Sequence, residues 1–193
     1  MPLQVHKKGI RALGISESFR KEIDKKSILA GVIMRSDLLI DGFTFGFAEV
    51  GGMDSTNCIV DMIKALDRED LNLLLLNGCV ISWYNVVDLN KVYNEIGVPL
   101  ICITYEESSG LEHYFKELFP HDWEYRVSVY RRNGGRIPFK LKTGHIVYLR
   151  FFGMSLEEAG YVVNKFTLQG AIPEPLRIAR LLARSLIKSF GKA

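Results

Sequence analysis

The stretch Leu73–Val80, LLLLNGCV, reads as a buried strand that stops abruptly at an amide and a glycine. A run of four leucines has no polar face, so it belongs to the middle of a sheet covered by helices on both sides. The last residue of such a strand points into any site built at the sheet's end, where a carboxylate could hold a metal ion. In this chain that residue is Asn77.

Working outward, RALGIS, ILAGVIMR and FTFGFAEV read as three early strands; in the third, Phe43, Phe45 and Phe47 alternate with smaller or polar residues. Asp41-Gly42 has the composition of a tight turn and is expected to join the second strand to the third. NCIVDMIKAL places Ile59, Met62, Ile63 and Leu66 on one helical face. After the leucine strand, YNVVDLNKVYNEIG is expected to be a helix stopped by Gly97 and VPLICITY a strand. SSGLEHYFKELF follows as a short helix ended by Pro120. YRVSVYRR and RIPFKLK, on either side of Asn133-Gly134-Gly135, read as a basic hairpin or extended arm, and HIVYLRFF returns to the sheet. Ser155 with Glu158 three residues on is a capping box for LEEAGYVVNKF, and Pro173 and Pro175 frame the start of LRIARLLARSLIKSF. The pattern is α/β: a central mixed sheet flanked by helices, antiparallel early and parallel later.

The chain has 193 residues, 48% of them hydrophobic, enough for one substantial core and a single domain over 1–193. Cys58, Cys79 and Cys102 lie in apolar segments without metal-ligand spacing, so reduced thiols and a cytoplasmic location are expected. The apolar run around Asn77 is too short for a membrane span, and MPLQVHKKGI lacks an apolar secretory core. A net charge of +3 says little, but its distribution says more. Between Arg126 and Lys142 there are six basic residues and no acid. On the last helix Arg177, Arg180, Arg184 and Lys188 recur every three or four residues. Both segments fit phosphate contacts, and both also fit solvated charged faces. No glycine-rich nucleotide motif is present, which weakens a metabolic enzyme with a phosphorylated small substrate.

A nuclease using two Mg²⁺ ions needs clustered carboxylates, and strand ends are where to look for them. The first strand ends in Ser16 and Glu17, and Asp54 precedes the first long helix, where it can cap that helix or bind a metal. Neighbouring strand residues point to opposite faces, so Glu17 replaces a carboxylate at Ser16 only if the turn has begun there. Asn77 can cap its strand or contact a polar substrate, but its neutral amide cannot balance a divalent charge. Trp83 and Tyr84 can stack on a base or pack in the core. Asp41 reads as a turn residue, and Asp88 can cap, face solvent or approach the Asn77 strand end. His6, His113, His121 and His145 have no metal spacing.

Taken together, RALGISESF, LIDGFTFGFAEVGGMDST, YNVVDL, GMSLEEAGYVVNKFT (153–167) and GAIPEPLRIARLLARSL (170–186) resemble the archaeal deoxyuridine endonuclease family, within the endonuclease V superfamily. The resemblance spans nearly the whole chain. It implies an RNase H-like fold and cleavage of DNA carrying a deaminated base with Mg²⁺ or Mn²⁺. It also implies an aspartate where Ser16 stands, with Glu17 beside it, an acid at Asp54, and an aspartate where Asn77 stands. A histidine expected near Phe151 to Gly153 and a basic residue expected within ITYEES have no match. On this reading Glu17 and Asp54 hold the metal and Asn77 positions phosphate or water. Trp83, Tyr84, Arg131, Arg132, Arg136, Arg177, Arg180 and Arg184 contact the nucleic acid. The alternative is a catalytically depleted relative that binds nucleic acid or a protein partner. Self-association is left open.

Overall fold

A computed structural model describes residues 9–190. One seven-stranded mixed sheet runs in the order β3-β2-β1-β4-β7-β9-β8. It is built from β1 (Arg11–Ser18), β2 (Lys26–Arg35), β3 (Ile40–Glu49), β4 (Leu73–Asn77), β7 (Leu100–Thr104), β8 (Ile137–Lys140) and β9 (Ile146–Phe152); β5 (Val80–Ile81) and β6 (Asn85–Val86) form a separate small hairpin. The helices are α1 (Ser55–Lys64), α2 (Leu89–Ile96), α3 (Glu112–Leu118), α4 (Trp123–Arg132), α5 (Leu156–Phe166) and α6 (Glu174–Phe190).

The leucine strand is central, as its composition requires. Leu74 and Leu76 enter a core with Ile59 of α1, Val92 of α2, Phe115 of α3 and Val127 of α4. Leu73 and Leu75 enter the opposite core with Val162 and Phe166 of α5 and Leu176 of α6. Each leucine is at most 2% exposed, and burial of each contributes roughly 1.5–3 kcal/mol. The two-residue period of β1 does the same sorting. Leu13 and Ile15 face α1, while Ala12 joins the α5/α6 core. The capping box at Ser155 and Glu158 is present, and Gly97 ends α2 with φ 69°.

Four expectations are corrected. The β2–β3 turn is at Ser36–Leu39, where Leu38 donates to the Arg35 carbonyl; Asp41 and Gly42 lie inside β3. Asp41 is instead an ion-pair partner of Arg11 and Arg68, which also hold its pKa low. Only β1, β4 and β7 run parallel, because β9 returns antiparallel beside β7 and β8 antiparallel beside β9. YRVSVYRR is helix, not an arm. Its buried residues, Arg126, Val127, Val129 and Tyr130, have helical spacing, and Asp122 pairs with Arg126 one turn on. The helix expected from Tyr84 begins only at Leu89, capped by Asp88, which accepts from the Lys91 N–H.

Candidate active site

The carboxyl ends of β1, β4 and β7 open into a cavity of about 750 Å³. Its walls include Glu17, Asn77, Cys79, Tyr130 and the loop Tyr105–Ser108, with Arg136, Arg150, Arg180 and Arg184 around them. Four guanidinium groups against the carboxylates of Glu17, Glu106 and Glu107 suit an anionic ligand that also meets a carboxylate.

Ser16 and Glu17 part company at the end of β1. Ser16 is buried on the α6 side and its hydroxyl donates to the Leu176 carbonyl at 3.0 Å. Glu17 turns to the other face, where its Oε1 accepts from the Ser82 N–H at 3.0 Å and its Oε2 from the Ser82 hydroxyl. Ser82 also hydrogen-bonds Ser27. Burial raises the Glu17 pKa, and the hydrogen bonds from Ser82 and Ser27 only partly oppose this. By strand period Asn77 belongs to the Leu73/Leu75 side, so the two positions where the family resemblance asks for aspartate face α5 and α6 and Glu17 does not.

The sign of the Glu17 shift gives an expected result. A raised folded pKa contributes stability that is fully present below the ordinary carboxylate value and is lost as pH rises through the folded value. Glu17→Gln escapes that loss. Its melting temperature should match wild type near about pH 4 and exceed it increasingly toward neutrality. Equal melting curves at neutral pH would show that the carboxylate is not strained by burial.

Ser82, Trp83 and Tyr84 all have positive φ, 45°, 55° and 67°. Left-handed backbone costs such residues roughly 1–2 kcal/mol each, so the surroundings must enforce it. The β5–β6 pairing closes the turn at Ile81 and Asn85, and the Ser82 carbonyl accepts from the Gly51 N–H. The fully engaged guanidinium of Arg126 donates to the carbonyls of Gly51, Gly52 and Tyr84 while pairing with Asp122. Trp83 and Tyr84 pack edge-on against Phe119, and Tyr84 also against Phe115. Packing is therefore their visible role here. Arg126, placed by sequence in a phosphate-binding surface, is 3% exposed and belongs to this scaffold.

Asp54 is held by the same turn but does not line the cavity. Although it occupies the N-cap position of α1, it makes no cap bond; both its oxygens accept from the Glu49 N–H, and Oδ1 also from Asn85. Asn85 takes over the cap, its Oδ1 accepting from the Ser55 N–H. So Glu17 hangs on Ser82 and Asp54 on Asn85. One strained turn positions both acids.

The predicted basic residues scatter. Arg180 and Arg184 line the cavity. Arg136 does too, but it also donates to the carbonyls of Glu106 and Ser108 and so holds the loop of the two glutamates. Arg177 is paired with Glu174, Arg132 with Asp88 and Arg131 with Glu112. Arg150, Tyr130, Glu106 and Glu107 were missed by sequence reasoning. Arg150 looks like an ordinary strand residue until β9 places it beside β7, where it donates to Cys79 Sγ at 3.3 Å and lies over Tyr130. Hydrogen bonding from Cys102, and Arg150 next, hold the Cys79 thiol below its usual range.

Among the described residues, no three His, Cys, Asp or Glu side chains cluster to hold a metal ion. The donor set therefore does not fit an all-protein two-ion centre. It leaves room for one Mg²⁺ or Mn²⁺ ion that keeps most of its waters and is completed by a substrate phosphate, for which a single carboxylate suffices. Glu17 offers it at the cavity wall, while the strand period turns Asn77 to the other face. Among the described residues no helix is long and apolar enough to cross a membrane.

The family model described as endonuclease dU matches residues 8–187. A UPF0215 protein of Pyrobaculum aerophilum is 35% identical over 93% of this chain and 97% of its own. A UPF0215 protein of Pyrobaculum calidifontis is 37% identical over 89% and 93%. Among solved structures, a protein of unknown function from Archaeoglobus fulgidus superposes with a TM-score of 0.79 at 24% identity, over 92% of this chain and 98% of that one. Endonuclease V of Ciona intestinalis, in complex with DNA containing an inosine followed by a ribo-adenosine, superposes at 0.65 and 13% identity, over 94% and 87%. These likenesses establish the RNase H-like, endonuclease V-type architecture. The chain belongs to the endonuclease dU family.

Proposed function

We propose that this protein is a metal-dependent endonuclease that cleaves deoxyuridine-containing DNA at the cavity where β1, β4 and β7 end. The observation carrying this reading is the convergence there of Glu17, Asn77 and four arginines. Arg180 and Arg184 attract and seat the phosphodiester backbone, a contact that is independent of sequence. Asn77 orients a phosphate oxygen or the attacking water through its amide. Glu17, at the cavity wall, accepts a proton from that water. If held at Glu17, Mg²⁺ or Mn²⁺ would supply Lewis acidity toward the phosphoryl group. Asp54 is a positioning residue, acting through Asn85 and the Ser82 turn.

The test is cleavage of uracil-containing, inosine-containing and undamaged DNA with Mg²⁺ or Mn²⁺, comparing wild type with Glu17→Gln and Asp54→Asn. Uracil-dependent product should fall by about 10²-fold or more in Glu17→Gln, the lower range for removing a general base. Asp54→Asn should lose less, with kcat falling and KM unchanged. A second reading is favoured by the sealed Ser16 hydroxyl and the neutral Asn77: a nucleic-acid-binding relative without catalysis. Absence of metal-dependent product, with DNA bound equally by wild type and Glu17→Gln, would establish that reading and discard the first.

A further inference from the structure

The two edges of the sheet are built differently. At one end β8 is four residues long and carries Pro138 and Lys140, residues that discourage strand addition. At the other end β3 runs for ten residues, Ile40–Glu49, without a lysine, arginine or proline. Phe43, Phe45 and Phe47 on β3 are 50%, 47% and 59% exposed, and Leu39 and Ile40 at its start are exposed as well.

The backbone of this edge is open over a defined stretch. The Glu49 N–H is taken by Asp54 and its carbonyl by Asn85, so this residue points away from β2. The period of two directs the backbone groups of Phe47, Phe45 and Phe43 outward as well. Cys58 covers the Phe47 amide, and Arg68 takes the Asp41 carbonyl. Between these closed ends, Phe43 and Phe45 have no outward backbone partner among the described residues.

We propose that β3 is the interface of a homodimer, in which two copies pair antiparallel about a two-fold axis at Thr44. Phe43 of one copy then lies opposite Phe45 of the other, and these two residues exchange the backbone hydrogen bonds that each copy leaves unused. A two-fold axis is the operation that sets a strand antiparallel to itself, so the edge is complementary to a second copy without any change of sequence. In this register Asp41 faces Phe47 of the other copy rather than its Glu49, which keeps like charges apart. The phenylalanines form a cross-strand aromatic ladder on a single face, an arrangement that stabilises paired strands. The exposed parts of Leu39, Ile40 and the three phenylalanines amount to about 500 Å² per copy, the most that their side chains can bury against a second copy, so two copies with the paired backbone come to the order of the roughly 1,000 Å² that marks a specific interface. The interface lies at the sheet edge, apart from the cavity at the strand ends, and leaves that cavity open.

Sedimentation equilibrium of the full chain at micromolar concentration tests this, with Phe45→Lys as the disrupting variant and Leu168→Lys, an exposed apolar residue elsewhere, as control. Wild type and Leu168→Lys should have the mass of two chains. Phe45→Lys should have the mass of one, with circular dichroism unchanged. A wild-type mass of one chain, which would leave this edge to a different partner, overturns the proposal. So does a dimer or larger assembly that Phe45→Lys leaves intact.

Discussion

Arg126→Ala is expected to lower the stability of the folded state by about 3–5 kcal/mol, the range for breaking a buried charged network. The guanidinium stacks on the Phe119 ring and donates to three backbone carbonyls, Gly51, Gly52 and Tyr84, from two different loops. Alanine leaves those carbonyls without donors in a site too enclosed for water to replace all of them. Lysine keeps the charge but not the planar fork that reaches both loops, so Arg126→Lys should recover only part of the loss. Urea unfolding of the three proteins measures this. A change below about 1 kcal/mol for alanine would mean that the left-handed Ser82–Tyr84 turn holds itself. The consequence extends to function, because that turn carries the two hydrogen bonds to Glu17.

The second large effect lies on the opposite face. Gly14 of β1 sits directly beneath the start of α6, and a Cβ there would lie 2.6 Å from the Pro175 carbonyl carbon and 2.9 Å from the Leu176 nitrogen. These are backbone atoms, which cannot swing aside as a side chain would. Gly14→Ala should therefore cost about 3 kcal/mol, the upper part of the usual range for overpacking. It should also shift α6 away from the sheet, breaking the Ser16–Leu176 hydrogen bond and moving Arg180 and Arg184 relative to the cavity. Nucleic-acid binding should weaken with stability in this variant, whereas Arg126→Ala should spare it wherever the protein remains folded. Unchanged melting in Gly14→Ala would show that α6 floats on the sheet.

Those two residues illustrate what could be read in advance. The sheet was legible, because alternation and the leucine run depend on which faces are buried, and burial patterning is written locally. So was the capping box, which uses residues three apart. The Arg126 region was misread as an extended arm, because valines alternating with polar residues carry a strand-like period over so short a stretch. Only the surroundings, Asp122 one turn before and the two loop backbones to be satisfied, select the helix. Asp54 was placed correctly at the head of α1 but given the wrong bond, since the competing acceptor, Asn85, is 31 positions away.

The amide at the end of the leucine strand follows the same division. From the sequence alone came the central strand and the absence of a carboxylate at Ser16 and Asn77, because these depend on residue type and local period. Only the tertiary structure decided that Ser16 is sealed against α6 and that Glu17 looks the other way onto a strained turn. It alone gathered Arg136, Arg150, Arg180 and Arg184 from three distant segments around the strand ends. A site made by long-range packing leaves no spacing in the chain, since the residues that meet there are adjacent only after the sheet and α6 have closed around them.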